Sequence, residues 1–223
     1  MLYVLTRLLL APLVRVVYRP VVRGRDNIPR TGPVIFASNH LSFVDSVVIA
    51  LLSPRPVHFL AKDAYFTGTG VKGLVLRGFF SAFGCVPVNR GGHRSAQASL
   101  EVAEGVLAHG RGFGIYPEGT RSPDGRLYRG RTGVAWLALK TGAPVVPVAL
   151  TGTDQLQPIG RYLPRLRRVT LEFGKPMHFT ATRLDERPAP ARRAVTDTIM
   201  HAIGDLSGQD HADGYAAVAG KRH

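Results

Sequence analysis

From Pro33 onward, short runs rich in β-branched and aromatic residues, flanked by Gly or Pro, alternate with longer stretches of helical periodicity. Few folds accept that alternation. The spacing predicts strands over 34–38, 57–61, 86–89, 114–116, 145–150 and 169–173, and helices over 43–52, 71–80, 95–109, 133–140 and 192–206. Strand and helix in turn imply an α/β architecture: a mostly parallel sheet flanked by helices. At 223 residues there is room for one well-buried core but not for two ordinary domains and a linker, so residues 25–206 are expected to form a single domain. No repeat of fixed period interrupts this reading.

Two terminal segments stand apart from it. Residues 1–24 are strongly apolar but carry Arg7, Arg15 and Pro12 within the apolar part, unlike a clean membrane span or a cleaved signal peptide. They fit an amphipathic helix lying in the plane of a membrane, and equally a terminal helix packed on the domain. Residues 207–223 mix Gly, Asp, His, Ala and Lys without periodicity and are expected to be poorly ordered. The histidines there, His211 and His223, are too sparse for a metal tract, and no Cys/His spacing in the chain suits a metal site.

Lys and Arg outnumber Asp and Glu by 29 to 15, a formal charge of +14 that calls for an anionic partner: nucleic acid, anionic lipid or a small phosphorylated or CoA-bearing molecule. Nucleic acid is disfavoured, because the chain has neither a recognisable binding module nor a regular interleaving of aromatic and basic residues. The single cysteine, Cys85, forbids an intrachain disulfide, and its apolar setting, Phe83-Gly84-Cys85-Val86-Pro87-Val88, reads as core rather than nucleophile.

Four segments carry candidate chemistry. In Ser38-Asn39-His40-Leu41-Ser42-Phe43-Val44-Asp45, a histidine follows a predicted strand and a carboxylate lies five residues on. Five residues on one helix turn the side chains about 140° apart, so His40 must precede the helix. With Ser42 as N-cap and Asp45 at the third helical position, His40 can fold back onto Asp45 as a base and its orienter. The same residues also fit a capping box beside an ordinary loop histidine. Tyr116-Pro117-Glu118-Gly119-Thr120-Arg121-Ser122 follows another strand, where backbone amides around Gly119, the Thr120 and Ser122 hydroxyls and Arg121 suit a phosphate cradle, or a plain surface turn. Gly84 to Arg90 delivers Arg90 to a strand end. Ala143 to Leu150 is an apolar strand with two prolines, belonging to a core or an edge.

In this order and spacing, these segments resemble the glycerolipid acyltransferase family that includes 1-acylglycerol-3-phosphate O-acyltransferases, over roughly residues 25 to 180. The joint occurrence of Asn-His-x-Ser-x-x-Asp and Pro-Glu-Gly-Thr-Arg-Ser carries the likeness. The resemblance implies His40 as general base, Asp45 as its partner, and Arg90, Glu118, Gly119, Thr120 and Arg121 as binders of the acceptor's glycerol phosphate. Many relatives have a Phe-Lys-x-Gly element after the third motif; here Gly130-Arg131-Thr132-Gly133 keeps the positive charge at Arg131 without the aromatic.

The implied reaction moves a fatty acyl group from acyl-CoA or acyl carrier protein to the sn-2 hydroxyl of 1-acylglycerol-3-phosphate, with neither metal nor other cofactor. The enzyme would sit peripherally on the cytoplasmic face of the cell membrane, against anionic lipid. Two alternatives stay open: the same chemistry on a lysophospholipid, amino-acid lipid or glycolipid precursor, and a non-catalytic binder of anionic lipid or nucleic acid.

Overall fold

The computed structural model describes residues 2–88, 95–161, 163–179 and 188–217. In chain order the elements are α1 (Leu2–Tyr18), β1 (Val21–Arg23), β2 (Val34–Ser38), α2 (Asp45–Leu52), β3 (Val57–His58), β4 (Leu60–Lys62), α3 (Ala64–Thr67), α4 (Gly70–Ala82), β5 (Val86–Val88), α5 (Ser95–Ala108), β6 (Gly112–Ile115), α6 (Gly133–Thr141), β7 (Val145–Thr151), α7 (Thr153–Leu156), β8 (Thr170–Phe173) and α8 (Pro188–Ser207). Six strands form the main sheet in the order β1-β8-β7-β2-β6-β3. Every pairing in it is parallel except β7 with β8, so the expected mostly parallel α/β sheet is present.

The pattern of β2 explains the layering. Its five residues are all buried, as a central parallel strand with helices on both faces requires. Val34 and Phe36 point into one apolar layer with α2, while Ile35 and Ala37 point into the other with α5, α6 and α8. β7 lies beside β2 as an interior strand, and Pro147 is tolerated there because it sits at the end of the pairing with β8, where its carbonyl still accepts from Gly174 N at 2.8 Å.

Several expectations need correction. The run 57–61 is two strands: β3 joins β6 in the main sheet, and β4 turns away to pair with β5 in a two-stranded sheet. The boundary at residue 24 cuts into the domain, because β1 is an edge strand of the main sheet. α1 packs on α2 and α4. Its Tyr3 is buried, and the hydroxyl accepts from Val57 N at 2.9 Å and donates to Val57 O at 3.1 Å. Residues 208–217, expected to be poorly ordered, pack back on the domain: Leu127 N donates to Asp210 O, Ala212 N to Leu127 O and Arg129 N to Gly214 O, and Ala216 is buried.

Candidate active site

The central parallel strands β2 and β6 are neighbours, and the loops leaving their carboxyl ends meet over the sheet edge. Two hydrogen bonds lace them together: His40 N donates to Glu118 Oε1 at 3.2 Å, and Ser122 N donates to His40 O at 2.7 Å. Asn39 ties the same point to β7, its amide bracketing Leu150 through N–H and C=O at 2.8 and 2.9 Å.

Within this frame His40 Nδ1 lies 2.8 Å from Asp45 Oδ2. Asp45 is fully buried, and the same oxygen accepts from Leu41 N at 2.7 Å and Ser42 N at 2.8 Å. The carboxylate is thereby fixed by backbone before it meets the imidazole. An anion accepting from Nδ1–H leaves the lone pair on Nε2, and the His40 side chain keeps 18% of its surface open to solvent. The bond from Ser42 N to Asp45 resembles one arm of a capping box, but the helix starts too late for one. Ser42 itself is not the N-cap: α2 begins at Asp45, and the Ser42 hydroxyl donates to Gln157 O at 2.6 Å.

Tyr116 is the residue that pattern reading missed. Its ring lies parallel to the His40 imidazole with centroids 3.8 Å apart, and Phe59 also stacks against it at 5.6 Å. This column exists because Gly114 has no side chain: a Cβ there would fall 2.2 Å from the Phe59 ring. Burial raises the Tyr116 phenol well above its ordinary pKa, so it stays a neutral hydroxyl, hydrogen bonded to Ser46 at 2.8 Å. Tyr116 stands next to the conspicuous Pro117-Glu118-Gly119, and a ring at a strand end beside a histidine loop was the available signal.

The second motif separates into residues that build the loop and residues that face out. Glu118, expected to bind the acceptor, is fully buried and spends both oxygens on backbone, Oε1 on His40 N and Oε2 on Tyr128 N at 2.9 Å. Burial pushes its carboxyl up to about 7, against the lowering effect of those two N–H groups. Gly119, also expected at the acceptor, closes a turn through its N–H on Tyr116 O. Its φ of +77° suits glycine, and a Cβ would lie 2.9 Å from Arg131 Nε. The Ser122 hydroxyl is likewise used inside the loop, on Arg126 O at 2.7 Å.

Thr120, Arg121 and Arg131, also expected at the acceptor, are not consumed in this way. Their side chains reach solvent and make no hydrogen bond or ion pair among the described residues. Arg90 lies outside the described residues. Gly130 lacks a side chain for a local reason: Met200 of α8 fills the space, with Cγ 2.8 Å from where a Cβ would stand. Cys85 is part of the core layer, and burial pushes its thiol up to about 11, away from the thiolate a nucleophile needs.

The loop after His40 also begins an aromatic path. Phe43, 46% exposed, meets Phe79 and Phe80 of α4 at 6.4 and 6.3 Å. Leu74, Val75 and Val71 of α4 and Leu8, Leu9, Leu13 and Val16 of α1 stand in solvent. Among the described residues, no helix is long and apolar enough to cross a membrane.

A parallel-sheet domain with a buried-carboxylate–histidine pair at its strand ends can support general-base chemistry, and sequence comparison supplies the class. The chain belongs to the acyltransferase family, whose model it matches over residues 19–151. It is 34% identical over 144 residues to a chloroplastic 1-acyl-sn-glycerol-3-phosphate acyltransferase of Brassica napus, covering 64% of this chain and 40% of that one. Against the 1-acyl-sn-glycerol-3-phosphate acyltransferase of Borreliella burgdorferi the identity is 34%, over 60% of this chain and 52% of the relative. The chain thus spans about half or less of the length of these relatives. Among solved structures, the 1-acyl-sn-glycerophosphate acyltransferase of Thermotoga maritima superposes with a TM-score of 0.65 at 26% identity, over 90% of this chain and 80% of that one.

Proposed function

We propose that the protein is a 1-acylglycerol-3-phosphate O-acyltransferase acting at a membrane surface, with His40 as general base and Asp45 as its orienting carboxylate. The observation that carries this reading is the 2.8 Å contact between His40 Nδ1 and the backbone-clamped Asp45 carboxylate, at the carboxyl end of a central parallel strand. The names of the relatives support lysophosphatidate as the acceptor.

In this mechanism Nε2 of His40 takes the proton of the sn-2 hydroxyl as its oxygen attacks the thioester carbonyl, and Asp45 stabilises the imidazolium. Collapse of the tetrahedral intermediate breaks the C–S bond, and the leaving thiolate of CoA or acyl carrier protein recovers the proton. The stacked Tyr116 ring holds the imidazole plane throughout. Arg121 and Arg131, with Thr120, meet the acceptor phosphate, and Arg90 completes the cationic set. The apolar faces of α1 and α4 rest in the lipid, with Lys72, Arg77 and Arg15 meeting anionic headgroups at the cytoplasmic face.

The test is thiol release from long-chain acyl-CoA and from acyl carrier protein in mixed micelles, with and without 1-oleoyl lysophosphatidate. Acceptor-dependent release by wild type that disappears in His40→Ala bears the reading out and identifies the donor. Release that survives the substitution removes His40 from the mechanism, and faster turnover of another lysolipid reassigns the acceptor.

A further inference from the structure

The segment 208–217 does more than cover the domain, because it reaches the candidate site at two points. Gln209 accepts from Asn39 Nδ2 at 2.7 Å, directly beside His40, and its own amide donates to Gly125 O at 2.6 Å. Tyr215 places its ring against two guanidinium groups, Arg129 at 5.5 Å and Arg131 at 5.3 Å from the ring centroid. Neither arginine forms an ion pair among the described residues. Each guanidinium is attracted to the ring, and holding both at one ring concentrates positive charge that an anion would neutralise.

The location of this clamp is set by surrounding bonds. The stem of Arg131 crosses Gly119, and its backbone N–H donates to Pro117 O at 2.7 Å. Arg193 of α8, paired with Asp197, donates to Gly130 O at 2.7 Å and reaches the Tyr215 hydroxyl at 3.4 Å. Through Glu118, whose carboxyl joins His40 N to Tyr128 N, the clamp is connected to the base by one side chain.

We infer that Tyr215 is a positioning residue of the acceptor site, holding Arg131 and Arg129 as a paired cation that selects a phosphate monoester over a phosphodiester headgroup. Arg129 thereby joins the acceptor-binding residues. The inference rests on the reading of the site as one for a glycerol-phosphate acceptor. A monoester carries up to two negative charges at neutral pH and a diester only one, so a dicationic clamp distinguishes them by charge alone.

The experiment compares the full chain with Tyr215→Leu, Tyr215→Phe, Arg131→Ala and the Tyr215→Leu/Arg131→Ala double variant, using lysophosphatidate and lysophosphatidylglycerol as acceptors. Loss of the ring is expected to raise KM for lysophosphatidate about three- to tenfold with kcat little changed. Phe restores the wild-type KM, and Leu adds less once Arg131 is Ala, because only Arg129 is then left for the ring to hold. KM for the diester moves less. An unchanged KM in Tyr215→Leu, or an equal further rise in the Arg131→Ala background, overturns the inference. Calorimetric binding of lysophosphatidate micelles reads the clamp without turnover. Binding by wild type without turnover counts against the His40 mechanism alone, whereas no binding, or equal affinity in wild type and Tyr215→Leu, counts against the clamp.

Discussion

Glu118 carries two opposed demands at the scale of one residue. Its carboxyl must accept from two backbone N–H groups, yet burial holds its pKa at about 7 instead of 4.5. Between those values the folded chain keeps a proton that the unfolded chain has lost, so stability falls as pH rises, by about 3 kcal/mol in all. Thermal unfolding followed from pH 4 to pH 8 should show that decline, and Glu118→Gln should flatten it. At His40 the expectation is kinetic: His40→Ala should lower kcat by about 10²- to 10⁴-fold, the usual contribution of a positioned base. Asp45→Asn should also lower kcat while leaving KM for acyl-CoA near wild type, because Asp45 touches His40 and backbone and not substrate.

At the scale of elements, α1 is both a core helix and an exposed apolar surface. Tyr3 and Ala11 face the domain, while Leu8, Leu9, Leu13 and Val16 do not. These roles separate experimentally. Tyr3→Phe removes the hydroxyl that satisfies Val57 N and should cost about 1–3 kcal/mol of stability, read by denaturant unfolding, with no change in vesicle binding. Leu8→Glu together with Leu74→Glu should leave unfolding nearly unchanged and weaken sedimentation with anionic vesicles severalfold. The proline within α1, Pro12, removes a helical hydrogen bond, and tertiary contacts on the buried side hold the helix despite it.

At the scale of the whole molecule, the net charge of +14 and the strand-end site act together. A positive field of this size attracts anionic ligands and surfaces in general, and it is screened by salt. Binding to vesicles rich in anionic lipid should therefore fall steeply between 0.05 and 0.5 M salt, whereas binding to neutral vesicles, driven by the apolar faces of α1 and α4, should not. A common salt dependence for both lipid compositions would show that the apolar faces stay out of the bilayer.

Much of the architecture is local information. Runs such as Val34-Ile35-Phe36-Ala37-Ser38 are too apolar and too β-branched to be anything but a buried central strand, and the helical periods between such runs leave a parallel sheet as the solution. His40 and Asp45 were legible for the same reason, since both belong to one strand-to-helix turn of fixed reach. Tertiary structure decided what no local pattern encodes. The run 57–61 divides between two sheets because β6 offers a partner to His58 and β5 to Leu60, partners more than 25 residues away in the chain. Glu118 looks like a ligand group in the motif but is consumed by backbone groups, one of them on the distant His40 loop, and Tyr116 and Tyr215 look ordinary until His40 and Arg131 come to lie against them. Local sequence determines which hydrogen-bonding and apolar groups a segment presents; only the packed chain determines which of them are already satisfied and which are left to meet a substrate.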